Sequence, residues 1–494
     1  MKKMPMADAF FLINESRATP MHVGGINLYT LPKGIDDTAF LANLKELLRY
    51  DREMRHPFGE LLKMGPMGTM GPVGWEHDEH LDIDYHIRHS ALPKPGRYRE
   101  LFELVSRLHG SLLDRSRPLW EMHLIEGLQN RQFATYLKIH HCAMDGAGAI
   151  HLINSMHSGS HRSKVKYSPF SQEADAAYRQ KVKAQRPKPI KHREDDVKAV
   201  AEALREQWGG TVNVGKALVE YAGVWLGSSR SKLAVPYHEV PRGRLGAKIT
   251  GARRFVAQSW PFARVRSVGK ALDLTLNDTV LAMCSGALRH YMIDQGELPN
   301  HSLKAQVPVS LRAEDDLDSA NAIGFFTADL GTNQADPEKR FRVIKDSMNA
   351  AKDQLAGMSR REIDIYNAIT QSPLLVGSLT GLSARFPAFN LVVSNVKGPS
   401  QQKYLNGARL DGLYPANIPF HGFPLSITLV SNNKNLDFGI TACRRSLPSV
   451  QRVIDYMEEA LVEMEGIAGL ASKKPARRKA GRKAPQRKSK TARK

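Results

Sequence analysis

The stretch from Phe133 to Met156 constrains this chain more than any other. An apolar, strand-like run, Phe133–Ile139, leads into His140-His141-Cys142-Ala143-Met144-Asp145-Gly146, and a helix-like run, Ala147–Met156, follows at once. Two adjacent histidines on an extended segment point to opposite sides, so only one can face a given reacting centre. A metal site shared by the pair is therefore not expected. A single histidine at a strand end suits general-base work, because its reference pKa of about 6.5 leaves the imidazole mostly neutral at cytosolic pH. Asp145 is placed to cap the following helix and to hold the loop by charge-assisted hydrogen bonds. Gly146 would let the backbone approach closely, and the helix start would offer N–H groups to a developing oxyanion. The residues alone leave open that the pair is ordinary core or surface chemistry.

The surroundings of the motif read as mixed strand and helix. With 494 residues, and roughly 100–200 per domain, two or three domains fit. Residues 1–154 form one block, in which Leu101, Leu104, Val105, Leu108 and Leu112 recur at helical spacing. Residues 155–245 form a connection. Within it, Ser155–Asp196 is polar, carries Pro187 and Pro189, and reads as a linker or long surface loop. A helical pair follows, with one stripe of Val197, Val200, Ala201, Leu204 and Trp208 and another of Val214, Leu218, Tyr221, Ala222 and Trp225. Residues 246–471 form a second mixed block, with strand candidates Ala305–Val309, Leu391–Ser394, Ser426–Ser431 and Leu436–Ala442.

Charge separates the last segment from the rest. Twelve basic and no acidic residues lie in 472–494, which leaves +9 of the net +21 for the remainder. That tail has no aromatic residue and too little apolar surface to offset its ordering entropy, so it is expected to be disordered. Three scattered cysteines, Cys142, Cys284 and Cys443, argue against a disulfide framework and fit a reducing compartment. The apolar core near the start, Ala9–Ile13, is too short for a secretory signal. The longest apolar candidate, Pro373–Val393, is broken by Arg385 and by polar residues, so no membrane span is expected. A cytoplasmic protein that can still lie on a membrane fits these features.

The motif His140-His141-xxx-Asp145-Gly146 is similar to the signature of the coenzyme A-dependent acyltransferase superfamily, which includes condensation domains. Its companions narrow the resemblance. Pro118-Leu119-Trp120 follows Leu113-Asp114-Arg115-Ser116-Arg117, and Asn277-Asp278 falls in the second block. Pro20-Met21-His22-Val23-Gly24 lies near the start, and Ser394-Asn395-Val396-Lys397-Gly398-Pro399 near the end. In this order they resemble the bacterial wax ester synthase/diacylglycerol acyltransferase family over nearly everything except the basic tail. Lys397 departs from the pattern, standing where the family often has proline. The resemblance implies two α/β, chloramphenicol-acetyltransferase-like domains joined by a long crossover, with an active-site tunnel between them. It implies that His141 is the base, that His140 supports packing or orientation, and that Asp145 is structural. Asn277 and Asp278 would position the site from the other domain; a helix cap is the plain reading of Asn277. Pro118, Leu119 and Trp120 would shape a substrate pocket, with core packing the plain reading of Trp120. The substrates implied are long-chain acyl-CoA and a fatty alcohol or diacylglycerol. No resident cofactor, metal or specific nucleic acid is implied. Because both substrates are oily, contact of the tail with a membrane or a lipid-droplet surface is expected.

Other signals are weaker. Gly210–Lys216 reads GxxxxGK, but Ala217 replaces the magnesium-binding hydroxyl and no buried strand precedes it. His77, His80, His86 and His89 suggest a metal, yet Ile83, Tyr85 and Ile87 alternate with polar residues as in a half-buried strand. Cys142 reads as a small apolar filler, since adjacent residues on an extended chain face apart. There is no GxSxG elbow. Two rivals remain at this level: a condensation-type transferase using carrier-bound donors, and a noncatalytic lipid- or nucleic-acid-binding protein acting through the tail.

Overall fold

A computed structural model describes residues 2–49, 53–65, 72–185, 213–310 and 323–470. In chain order the first half holds β1 (Lys2–Lys3), α1 (Met6–Asn14), β2 (His22–Thr30), α2 (Asp37–Leu48), β3 (Glu60–Met64), β4 (Pro72–His77), α3 (Ile83–His86), β5 (Ile87–Ala91) and α4 (Tyr98–His109). It continues through β6 (Trp120–Leu128), β7 (Gln132–His140), α5 (Gly146–Met156) and α6 (Gln172–Gln185). Residues 213–225 form α7. The second half holds β8 (Arg253–Pro261), α8 (Phe262–Ala271), α9 (Leu276–Asp294), β9 (Lys304–Ser310), β10 (Ile323–Asp329), α10 (Pro337–Leu355) and α11 (Arg360–Leu379). It ends with β11 (Leu391–Val396), β12 (Tyr404–Leu405), β13 (Ala408–Ala416), β14 (Leu425–Asn432), β15 (Asn435–Cys443) and α12 (Arg452–Ile467).

Two six-stranded sheets carry the fold, in the orders β12-β13-β2-β7-β6-β5 and β10-β9-β11-β14-β15-β8, beside a small sheet β1-β4-β3. This is the two-halved α/β architecture expected. One feature crosses the expected boundary: β13, from the second block, pairs antiparallel with β2 from Ala416↔Gly24 to Arg409↔Thr30. The first sheet is thus completed by a strand encoded almost four hundred residues away. Gly439 makes the crossing possible, because a Cβ there would sit 1.8 Å from the Pro415 carbonyl oxygen of β13.

Strand β7 is central to the first sheet and buried on both faces. Phe133 and Ile139 enter one core with Trp120, Leu124, Leu152 and Met156. Ala134 and Tyr136 enter another with Leu101 and Val105 of α4 and Phe255 and Ala257 of β8. Helix α4 therefore lies between the first sheet and an edge strand of the second, and fixes the two halves against each other. All four strand candidates of the second block are strands, and α9 is buried almost throughout.

Several local expectations change. Residues 83–86 are a helical turn, because Asp82 Oδ1 accepts the Tyr85 N–H at 3.3 Å and caps it; the strand starts only at Ile87. Helix α4 ends at His109, and Leu112 lies beyond it, exposed. Part of the expected loop 155–196 is helix α6, anchored where Asp175 meets Arg55, His151 and Arg179 at 2.9, 2.6 and 2.8 Å. Phe170, fully buried, precedes it; a mostly polar composition hid this apolar anchor. The stripe Val197–Trp208, residues 186–196 of that loop and the basic tail lie outside the described residues. Among the described residues no helix is long and apolar enough to cross a membrane.

Candidate active site

Strand β7 delivers His140 as its last residue, paired with His22 of β2. The backbone then turns, and two carbonyls hold the turn: Leu119 O accepts the His140 N–H at 3.0 Å, and Met21 O accepts the His141 N–H at 2.9 Å. The two rings face different surroundings, as alternation requires. His140 is fully buried. Its Nδ1 accepts the Cys142 N–H at 3.2 Å, which leaves the ring proton on Nε2, 3.4 Å from Glu15 Oε1. His141 is half-buried and stacks on Phe11 of α1, with ring centroids 4.0 Å apart and planes 9° apart. Burial, reinforced by His140, lowers the His141 pKa to about 4, although Asp145 pulls the other way. The imidazole is therefore neutral, the form a proton acceptor needs.

Asp145 is the N-cap of α5: its Oδ1 accepts the Gly148 N–H at 2.7 Å. That N–H is thereby committed to the cap. Gly146 does not serve close packing within the protein. A Cβ there would meet only Val396 Cγ2, at an ordinary 3.8 Å. The contact does show where the motif points: the start of α5 faces β11 of the second sheet, so the site lies in the seam between the halves.

The second motif reaches the same seam. Asn277 Oδ1 accepts from Asn395 Nδ2 at 2.8 Å, next to Val396 in β11. Asn277 is not the cap of α9; that residue is Thr275, whose N–H and hydroxyl donate to Asp278 Oδ2 at 3.0 and 2.6 Å in a capping box. Asp278 is buried and secures the helix start from which Asn277 extends. Pro118, Leu119 and Trp120 are buried on the approach to β6 and at its start. Trp120 is 1% exposed, donates from Nε1 to Phe58 O at 2.8 Å, and packs against His86 and Phe170. Leu119 supports His140 through its carbonyl, as above. Cys142 is buried beside Leu12 and Leu119, and burial raises its thiol pKa, which suits a filler.

Four residues that sequence reasoning did not single out as site residues complete the arrangement: Phe11, Glu15, Met21 and Arg115. The Glu15 carboxylate is buried and accepts the Met21 N–H at 3.1 Å. Arg115 donates to its Oε2 from Nε and Nη2 at 3.1 and 3.0 Å. Burial alone would raise the Glu15 pKa, but His140, the Met21 N–H and Arg115 together hold it below the usual carboxylate range. Glu15 stands in the polar run Asn14-Glu15-Ser16-Arg17, which reads as surface. Nothing local signals that Arg115 and His140 will enclose it.

Elsewhere, a cavity of about 1130 Å³ is lined by Glu53, His56, Glu60, His77 and Asp78 among others, and does not include His141. Its acidic lining is unsuited to a phosphate-bearing donor. Among the described residues no cluster of histidine, cysteine and carboxylate could hold a metal ion.

Comparison with known proteins matches residues 4–280 to the wax ester synthase/diacylglycerol acyltransferase catalytic domain and residues 319–465 to the WS/DGAT C-terminal domain. A probable diacylglycerol O-acyltransferase of Mycobacterium tuberculosis is 40% identical, over 94% of this chain and 98% of its own length. An O-acyltransferase WSD of Acinetobacter baylyi is 36% identical over 94% of this chain and 98% of that protein. The solved wax ester synthase/diacylglycerol acyltransferase from Marinobacter aquaeolei superposes with a TM-score of 0.75 at 37% identity, covering 95% of this chain and 100% of that one. A condensation domain of the CDA synthetase shares the fold alone, at a TM-score of 0.53 and 13% identity.

Proposed function

This chain belongs to the wax ester synthase/diacylglycerol acyltransferase family, and we propose from that premise that it carries a long-chain acyl group from acyl-CoA to a fatty alcohol or a diacylglycerol, with His141 as the base. The protein is an acyltransferase; the role of each residue is the proposal. The observation that carries it is His141 itself: neutral, stacked on Phe11, tied by its N–H to Met21, and set where α5 meets β11.

In the proposed reaction His141 takes the hydroxyl proton of the acceptor as its oxygen attacks the thioester carbonyl. The new C–O bond forms and the C–S bond breaks. The departing thiolate takes the proton back from the imidazolium and leaves as free coenzyme A. Direct transfer needs no acyl-enzyme, which agrees with a buried, protonated Cys142. His140 holds the turn through Glu15, Asp145 fixes the start of α5, and Asn277 braces β11 from the second half.

The test is thiol release by the purified protein with a C16 acyl-CoA, with and without a long-chain alcohol or diacylglycerol, for wild type and His141→Ala. Acceptor-dependent thiol release with ester formation, lost in a folded variant, supports the assignment. Full activity in the variant overturns the role of His141. For the chain ending 472–494, the proposal is peripheral contact with anionic lipid on the cytoplasmic face, because each basic residue near such a surface contributes about 1 kcal/mol. Liposome flotation unchanged by deleting 472–494 would count against it.

A further inference from the structure

Helix α11 buries Ile363 and Tyr366 in the core along with Glu362, Asn367 and Thr370, yet three further large apolar residues, Ile365, Ile369 and Val376, face outward at 43%, 46% and 58% exposure. The outward side of a helix facing water is ordinarily polar or charged. From Ile365 to Ala384 the chain has no Asp, Glu, Lys or Arg over 20 residues. Past Arg385, Phe386 is 48% exposed. There the guanidinium groups of Arg242 and Arg385 flank the ring at 5.3 and 5.8 Å.

The same surface adjoins the acyl-transfer site. Ser378 of α11 donates a hydrogen bond to Asn14 of α1. Beside Asn14, Ile13 is 52% exposed; on the same helix, Phe11 stacks on His141. Helix α1 thus touches the uncharged surface at its end and the catalytic ring along its side.

We infer that the outward face of α11, extended by Ile13 and Phe386, seats the protein on an anionic phospholipid surface, from which the acceptor passes alongside α1 to His141. The inference rests on the proposed transfer to a lipid alcohol. An outward face that carries no charge beyond Asp364 at its start, with two arginines at its far edge, matches a bilayer interface: the side chains enter the acyl boundary and the guanidinium groups meet phosphates. The acceptor itself resides in such a layer, so a face joined to the catalytic helix fits lipid better than it fits a second protein.

The experiment uses the full chain and phosphatidylcholine vesicles with and without phosphatidylglycerol. Ile365→Gln/Ile369→Gln and, separately, Phe386→Ser are compared with wild type by flotation, in chains with and without 472–494. The double variant is expected to lower partitioning about tenfold or more whether or not the tail is present. It should leave turnover of a short-chain, water-soluble alcohol unchanged and slow transfer to an acceptor embedded in the vesicles. Arg385→Gln should weaken binding only to the phosphatidylglycerol vesicles. Unchanged partitioning of both apolar variants overturns the inference, and so does a sizing column showing that these substitutions only split a dimer. If wild type floats as expected but makes no ester even from the soluble alcohol, the reaction assignment fails and the lipid surface stands.

Discussion

Glu15 Oε1 lies 3.4 Å from Nε2 of His140, inside the protein and a hundred and twenty-five positions away in sequence. The same carboxylate oxygen accepts the Met21 N–H, and Met21 O accepts the His141 N–H. One buried charge therefore holds both histidines, His140 by its ring and His141 through one intervening residue.

Glu15→Gln should keep the size of the side chain and lose the charge. The expected result is a kcat about 10–100-fold lower with KM little changed, because turn geometry is disturbed while the substrate surfaces are not. Stability should fall by about 1–3 kcal/mol as Arg115 and His140 lose a charged acceptor. Steady-state kinetics beside a denaturation midpoint checks both; a proportional rise in KM with constant kcat would contradict the positioning role.

His141→Ala should reduce kcat by about 10²–10⁴-fold or more, as expected for loss of a positioned base. Its thermal midpoint should stay near that of wild type, since the backbone bond to Met21 O does not depend on the side chain. Circular dichroism melting alongside the thiol-release assay separates the two.

The pH dependence has a definite sign. His141 in the fold titrates at about 4, below the ordinary value of about 6.5, and its neutral form is the native one. The kcat/KM profile should therefore stay level as pH falls through 6.5 and decline only toward about 4. In stability terms, the contribution of His141 is fully present above about 6.5 and is lost as pH falls to about 4. An acidic limb centred near 6.5 in the free enzyme would refute this reading.

Asp145→Asn and Asp145→Ala should differ. Asparagine caps a helix nearly as well as aspartate, so the first variant should keep most activity and stability. The second should lose about 1 kcal/mol with the bond to Gly148 N–H. Equal and complete loss of turnover in both, with both folded, would give Asp145 a chemical role that its geometry does not require.

Gly439→Ala should be among the most damaging single-methyl additions in the chain. The new Cβ would fall on the Pro415 carbonyl oxygen, a backbone atom, and neither strand can yield without breaking its ladder. A loss of about 3 kcal/mol or more in denaturant unfolding is expected.

By itself the sequence determined the strand–turn–helix that carries the histidines, since apolar periodicity, a capping aspartate and a helix-forming run are local properties. The strands of the second block and the order of the motifs were legible for the same reason, and the order of the motifs was enough to indicate the family. What the sequence left open is what depends on distant partners. Trp120 could be pocket or core, and packing by Phe58, His86 and Phe170 makes it core. Asn277 could be a cap, and only the approach of β11 gives it Asn395. The segment 83–88 alternates like a strand, yet the bond from Asp82 turns its first residues into helix. Most of all, Glu15 and Phe11 carry no local sign of function. Their partners, Arg115, His140 and His141, come within reach only when α1 folds onto the end of β7, and a buried charge or a stacked ring exists only in that assembled state.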